Sequence, residues 1–183
     1  MAAKDAVQLL YINILEMDRE TYLFHQTPNE LAKELINHVD LCENDFVLEP
    51  FKGEGAFYNN LPDYVNKHWC ELEEGRDYKD HEGQIDWVIT NPPFKLENNE
   101  GRVNSFWYLI DYYTDRVSKG IAFLGNDRCF STLTPIRMKK LNDKGFYVNK
   151  IVVCNVKKWR GRYFFIIISK QPSNLFKCIP GSF

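Results

Sequence analysis

Ile85-Asp86-Trp87-Val88-Ile89-Thr90-Asn91-Pro92-Pro93-Phe94 begins as an apolar run and stops at two successive prolines. The run is rich in β-branched and aromatic side chains, which reads as a strand buried on both faces, the kind that a parallel sheet covered by helices produces. Neither proline can donate to a neighbouring strand, so the chain leaves the sheet at Asn91. A single proline is enough to end a strand. A pair flanked by an amide and an aromatic ring calls for a chemical reason, and Asn91, Pro92, Pro93 and Phe94 are the candidate catalytic residues. An exocyclic amino nitrogen is a weak nucleophile because its lone pair is delocalised into the ring that carries it. The side-chain oxygen of Asn91 and the carbonyl of Pro92 can each accept one N–H of such an amine, holding the nitrogen and favouring charge that develops on it. Phe94 can stack on the plane of a base. Neither a metal nor a cysteine is needed for this chemistry.

On both sides of this strand, short apolar runs alternate with amphipathic ones. The pattern predicts further strands at Asp45 to Glu49, Lys67 to Leu72, Ile121 to Gly125, Val148 to Asn155 and Tyr163 to Ser169. Helices are predicted from Gly55 to Val65, Val103 to Ser118 and Thr134 to Lys144. A further helix is predicted to take Thr27 as N-cap and Pro28 as its first residue, with Leu31, Ala32, Leu35, Ile36 and Val39 on one face. Strands separated by helices build an α/β fold, here an open, doubly wound and mostly parallel sheet. The connection Lys157 to Arg162 is too short for a crossover and contains Gly161, so the last two strands are expected to form an antiparallel hairpin at one end of the sheet.

The first predicted strand ends in a carboxylate, and a glycine-bearing turn and a helix follow: Glu49-Pro50-Phe51-Lys52-Gly53-Glu54-Gly55-Ala56-Phe57. At this place in a doubly wound sheet, glycines let a nucleoside ligand approach the backbone. The third glycine of a dinucleotide fingerprint would fall at Tyr58, which argues against a nicotinamide cofactor. Glu71 ends the second predicted strand, at the remove where an acidic side chain accepts hydrogen bonds from ribose hydroxyls. Asp77-Tyr78 can place another acceptor against an adenine amino group. A strand-capping acid is the plainer account of Glu71 and Asp77.

A chain of 183 residues, 44% hydrophobic, has the length of one domain. No window reaches the run of ~20 apolar residues that a membrane-spanning helix needs, so no membrane partner is expected. The apolar run from Leu9 to Leu15 lacks a small-residue cleavage site, which predicts a cytoplasmic or nuclear protein. Five cysteines are scattered without a C-x-x-C pair and read as reduced, mostly buried thiols, and no metal site is expected. Charge is distributed unevenly. Residues 1–100 hold 8 Lys and Arg against 21 Asp and Glu, a net of -13, whereas residues 137–170 hold 10 against Asp143 alone, a net of +9. Lys157, Lys158, Trp159, Arg160 and Arg162, followed by Tyr163, combine cations and aromatics as a nucleic-acid-binding loop does. The alternative is a hairpin whose aromatics are core and whose cations face water. Arg102 and Asn98 to Gly101 form a second candidate rim.

The order Thr27-Pro28, Glu49-Pro-x-x-Gly53-x-Gly55-x-Phe57, Glu71, Asp77-Tyr78 and Asn91-Pro-Pro-Phe94 resembles the class I S-adenosylmethionine-dependent methyltransferases of the amino-group type, in particular the adenine-specific DNA methyltransferases. That resemblance implies a Rossmann-like sheet of seven strands. It also implies that Thr27, Glu49, Gly53, Gly55, Phe57, Glu71, Asp77, Tyr78 and Asn91 surround S-adenosylmethionine, and that Asn91, Pro92, Pro93 and Phe94 handle the target base. Within a duplex that base must be flipped out. The stretch from Gly55 to Glu71 is short, so an abbreviated first helix is expected. No segment is spare for a separate target-recognition domain, so sequence specificity is expected to be low or to come from short loops, a partner subunit or a homodimer. The same tetrapeptide chemistry also suits adenine in RNA, cytosine in DNA or a glutamine amide of a protein, and a non-catalytic nucleic-acid-binding subunit is a further alternative.

Overall fold

The computed structural model describes residues 26–98, 101–157, 159 and 161–173, with the backbone alone described at 97, 98 and 101–103. Its main sheet follows the strand order β2-β1-β3-β6-β8-β7. Here β1 is Phe46–Glu49, β2 Asn66–Trp69, β3 Ile85–Thr90, β6 Val117–Asn126, β7 Tyr147–Cys154 and β8 Tyr163–Ser169. β4 (Lys95–Asn98) and β5 (Gly101–Asn104) form a separate two-stranded sheet. β1 pairs in parallel with both β2 and β3, and β3 in parallel with β6. β8 runs antiparallel to β6 and β7, which gives the hairpin at one end of the sheet that the short connection requires.

Strand alternation explains the layers. Leu48, Val88, Ile121, Phe123, Ile166 and Ile168 point to one face, where they meet Phe106, Leu109, Ile110 and Tyr113 of α3 (Ser105–Thr114) and Met138 and Leu141 of α5 (Pro135–Asp143). Their chain neighbours Val47, Trp87, Ile89, Ala122, Leu124, Phe165 and Ile167 point to the other face, against Ala32, Leu35 and Ile36 of α1 (Asn29–Ile36) and Ala56 and Phe57 of α2 (Ala56–Asn60). A period of two delivers successive side chains to opposite layers, so central strands must be apolar throughout. All six residues of β3 are buried. The first helix after the glycine turn is short as expected, five residues long. A four-residue helix, α4 (Asp127–Phe130), follows β6.

Several expectations differ from the structure. The second strand, expected from Lys67 to Leu72, is Asn66–Trp69, so Glu71 lies beyond its end, and the helix expected from Gly55 to Val65 spans only Ala56–Asn60. Among the described residues the main sheet has six strands, not seven, because the 15 residues between Trp69 and Ile85 fold as two 3-10 turns, Leu72–Glu74 and Tyr78–Asp80, where a further crossover and strand would be needed. α1 starts at Asn29 with Pro28 as N-cap, so Thr27 is not the cap; its hydroxyl is engaged with Asn91 instead. α3 starts at Ser105, capped by Asn104, because residues 95–98 and 101–104 form the β4–β5 ribbon.

The amino ends of the central strands are fastened by two buried aspartates. Asp86 accepts from the Phe46 amide at 2.9 Å and from the Ser118 hydroxyl, and Asp45 accepts from the Cys42 amide at 2.9 Å and from Lys119 Nζ at 2.5 Å. Burial works against ionisation of Asp86, yet these donors hold its carboxyl below the usual range. Gly120 lies where β6 passes Trp87: a Cβ there would come within 2.5 Å of both the Ile168 carbonyl oxygen and the Trp87 ring. Gly120→Ala is therefore expected to cost about 1–3 kcal/mol or more by overpacking between backbone and a buried indole; an unchanged urea midpoint would count against this account of the core.

Candidate active site

In the strand order, β1 connects outward to β2 while β3 connects the other way towards β6, so the order reverses between β1 and β3. Loops leaving the carboxyl ends of such a pair diverge and open a crevice, the usual ligand position in open α/β sheets. Glu49 and the glycine turn leave from β1, and Asn91 from β3.

The turn is held by backbone geometry and by one acid. Gly55 has a φ of 82° at the entry to α2, and a Cβ there would lie 2.8 Å from Asn59 Nδ2. Gly53 has a φ of 50°, and its N–H donates to Glu71 Oε2 at 2.7 Å. Glu71 follows β2, and its other oxygen accepts from the Glu73 amide at 3.3 Å, which caps the first 3-10 turn. Two amide contacts leave a carboxylate with further lone pairs for ligand hydroxyls. Glu49 is only 2% exposed and accepts from the Tyr58 amide at 2.7 Å. Burial pushes its carboxyl well above the ordinary 4.5; the Tyr58 amide opposes this, and the nearby Glu71 charge adds to it.

Trp69 joins the two turns. Lys52 Nζ lies 3.7 Å and the Arg76 guanidinium 4.1 Å from its ring centroid, and Lys52 also pairs with Glu74 at 2.6 Å. Leu72, next to Glu71, is 71% exposed. Sequence reasoning missed Leu72, although an apolar residue directly after a strand-ending acid was the signal that could have found it. Asp77 accepts from the Lys79 amide at 3.0 Å as cap of the second 3-10 turn. Tyr78 is a core residue, its ring 5.1 Å from Phe51 of the glycine turn and 5.6 Å from Tyr112 of α3. Phe57 is also in the core, stacked on Phe165 at 5.9 Å.

Asn91 Nδ2 donates to Thr27 Oγ1 at 3.2 Å, which orients the amide and makes Oδ1 its acceptor end. Pro92 is buried, Pro93 exposed and Phe94 half-buried against both core layers. Ser105 tethers this turn to α3: its N–H donates to the Phe94 carbonyl at 3.3 Å and its hydroxyl to the Pro93 carbonyl. Among the described residues no group of three His, Cys, Asp or Glu can hold a metal ion.

The β7–β8 connection lies at the same edge, because Asn126 at the end of β6 pairs with Tyr163 at the start of β8. With strands about 4.8 Å apart, it stands roughly 10–15 Å from Asn91. Trp159 is 5% exposed and its ring lies 4.5 Å from that of Tyr163, so it is a peg in the core, not an open stacking face. The Arg162 amide donates to Asp127 Oδ1 at 3.2 Å. Lys157 and Arg162 are exposed and enter no ion pair among the described residues; Lys158 and Arg160 lie outside them. Three other cations of the basic half are ion-paired, Lys139 with Asp143, Lys140 with Asp111, and Lys144 with Asp111 and Asp115, whereas Arg137 and Lys150 donate to backbone carbonyls.

No protein-family model and no curated protein matches the sequence. Solved structures do. A Listeria monocytogenes protein described as a class I S-adenosylmethionine-dependent methyltransferase aligns with a TM-score of 0.58 at 15% identity, over 84% of this chain and 62% of that one. This chain thus spans less than two thirds of that protein. The chain has the class I methyltransferase fold. A Pyrococcus horikoshii protein described as an RNA methyltransferase gives 0.57 at 19% identity, over 79% of this chain and 84% of that one. The magnesium protoporphyrin IX methyltransferase of Synechocystis PCC 6803 with bound SAH gives 0.52 at 10% identity, over 91% and 100%. Within this methyltransferase fold, no helix of the described residues is long and apolar enough to cross a membrane.

Between 4.5 and its raised native value, Glu49 keeps a proton that the unfolded chain has lost, so stability falls as pH rises through that window. Glu49→Gln is expected to raise the thermal midpoint at about pH 8 and to change little at about pH 4, where both states are protonated. Thermal scans at the two pH values check it, and an equal shift at both would remove the burial argument.

Proposed function

We propose that this protein transfers a methyl group from S-adenosylmethionine to the 6-amino group of adenine in DNA. The observation that carries the reading is the position of Asn91-Pro92-Pro93-Phe94 at the carboxyl end of β3, at the point where the strand order reverses, beside the glycine turn of β1. The residues present fit the cofactor: the turn passes Gly53 and Gly55 at positive φ without side chains, the Glu71 carboxylate stands beside Gly53, and the exposed Leu72 offers an apolar surface. When bound, the cofactor supplies an electrophilic methyl group.

In this reading Glu71 accepts hydrogen bonds from the ribose hydroxyls, Leu72 covers the purine of the cofactor, and Asp77 accepts from its amino group. Glu49 and Thr27 hold the turn and the Asn91 amide in place. The target amine donates to Asn91 Oδ1 and to the Pro92 carbonyl, while Phe94 lies against the plane of the base. Both acceptors gain strength as the nitrogen becomes positive, so they favour the transition state over the ground state. The cations of Lys157 to Arg162 receive the phosphates of the strand that presents the base.

Adenine in RNA is the second reading, favoured by the similarity in fold to a protein described as an RNA methyltransferase. Incubation with labelled S-adenosylmethionine and duplex DNA, single-stranded DNA, RNA and protein, followed by nucleoside analysis, is expected to give 6-methyladenine in DNA. Label in RNA adenine selects the second reading, and label in protein rejects both.

Asn91→Ala is expected to abolish methyl transfer and to leave calorimetric cofactor affinity within about tenfold; turnover at the normal rate would sink the mechanism. Glu71→Ala is expected to weaken cofactor binding, and unchanged affinity would remove its role. Charge reversal at Lys157, Lys158, Arg160 and Arg162 should weaken DNA binding and lower the slope of log affinity against log salt by about one for each phosphate that is no longer neutralised. An unchanged slope would leave those cations as solvated surface.

A further inference from the structure

α3 and α5 are joined on one face of the sheet by side chains spaced four apart on α3. Asp115 pairs with Lys144 at 3.0 Å, and Asp111 with Lys144 at 3.0 Å and with Lys140 at 2.7 Å. Trp107 meets Arg137, whose guanidinium lies 5.0 Å from its ring centroid. Residues four apart share one flank of a helix, so 107, 111 and 115 are three rungs of one seam. Two rungs set carboxylates against cations. The third offers an indole where the others offer an acid, and Arg137 enters no ion pair among the described residues.

That unneutralised rung stands at the carboxyl edge of the sheet. β3 and β6 are parallel, and α3 and α5 begin in the segments that leave them, so Trp107 and Arg137 both lie in the first turn of a helix that starts there. Ser105, which tethers the Pro93–Phe94 turn, is two residues before Trp107, about 3 Å along the helix axis. Neither first turn carries an acid, although acids are favoured at that position. Arg137 is held in place as well: Nη1 donates to the Thr132 carbonyl at 2.9 Å, and its amide donates to Thr134 Oγ1 at 3.4 Å. That carbonyl occupies one of five guanidinium donors, and a guanidinium braced on a ring keeps the others for a planar anion-binding fork. S-Adenosylmethionine contains no phosphate, so an anion received here belongs to the other substrate.

We propose that Arg137, braced on Trp107, binds a backbone phosphate of the nucleic-acid strand that presents the target base. This rests on the nucleic-acid reading above and adds to it a second phosphate site, on the α3–α5 side of the catalytic turn and separate from Lys157 to Arg162. The indole is what makes the site: it positions the guanidinium by packing and leaves its charge for the ligand, whereas a carboxylate at 107 would consume it as Asp111 consumes Lys140.

The test measures binding of a short fluorescent duplex DNA, and of RNA with the same sequence, to the full chain with S-adenosylmethionine over a range of salt. Arg137→Ala is expected to weaken binding about three- to tenfold at fixed salt and to lower the slope of log affinity against log salt by about one. Arg137→Lys keeps the charge and is expected to keep the slope. Lys140→Ala removes a cation that Asp111 already neutralises and is expected to leave the slope unchanged. Calorimetric cofactor affinity equal to wild type reports an intact fold in each variant. A second measurement replaces the DNA phosphates one at a time by neutral methylphosphonate: one replacement near the target adenine should weaken binding to wild type and have no effect on Arg137→Ala. An unchanged slope in Arg137→Ala, an equal drop in Lys140→Ala, or the same methylphosphonate profile in wild type and Arg137→Ala overturns the site and leaves methyl transfer to nucleic acid standing. If wild type binds and methylates neither DNA nor RNA, the parent reading falls and this one with it.

Discussion

Parallel pairing of β1 with β3, Val47 beside Trp87 and Leu48 beside Val88, is the constraint on which the rest depends. It joins two strands whose following segments depart in opposite directions, and so it opens the one crevice to which the glycine turn, Glu49 and Asn91 all belong. The pairing survives only because β3 is apolar on both faces and two helical layers cover it. The same strand must then end within one residue, and the two prolines ensure that it does.

The two ends of the sheet treat buried carboxylates in opposite ways. At the amino end Asp45 and Asp86, 4% and 7% exposed, are supplied with amide, hydroxyl and ammonium donors, and they knit β1, β3 and β6 together. At the carboxyl end Glu49 has the Tyr58 amide and burial that works against its charge. One end is built for cohesion. The other retains an electrostatic cost, as ligand-binding edges do.

Much of this was legible in the sequence, for reasons that differ from element to element. β3 and its stop could be read because periodicity and proline act locally, and the β7–β8 hairpin because its connection is too short for anything else. The true engagement of Thr27 could not be read, since its hydroxyl is taken by Asn91, 64 positions away in the chain. Trp159, Phe57 and Tyr78 were expected among the site residues yet are buried in the core, which only the packing of a helix and two turns against the sheet decides. The seventh strand came from resemblance to a family, and the 15 residues between Trp69 and Ile85 are too few to build it. β4 and β5 are short and polar, and so carry little apolar alternation to read.

Trp69, held between Lys52 and Arg76, has a consequence for how a ligand would be received. The indole ties the glycine turn to the turn that carries Glu71, and the Gly53–Glu71 hydrogen bond closes the loop. Two segments that would otherwise fluctuate independently therefore move as one body. The conformational entropy of ordering them is lost when the chain folds, before any ligand arrives, so a nucleoside entering this edge meets a preorganised wall and forfeits less of its contact energy to arranging it.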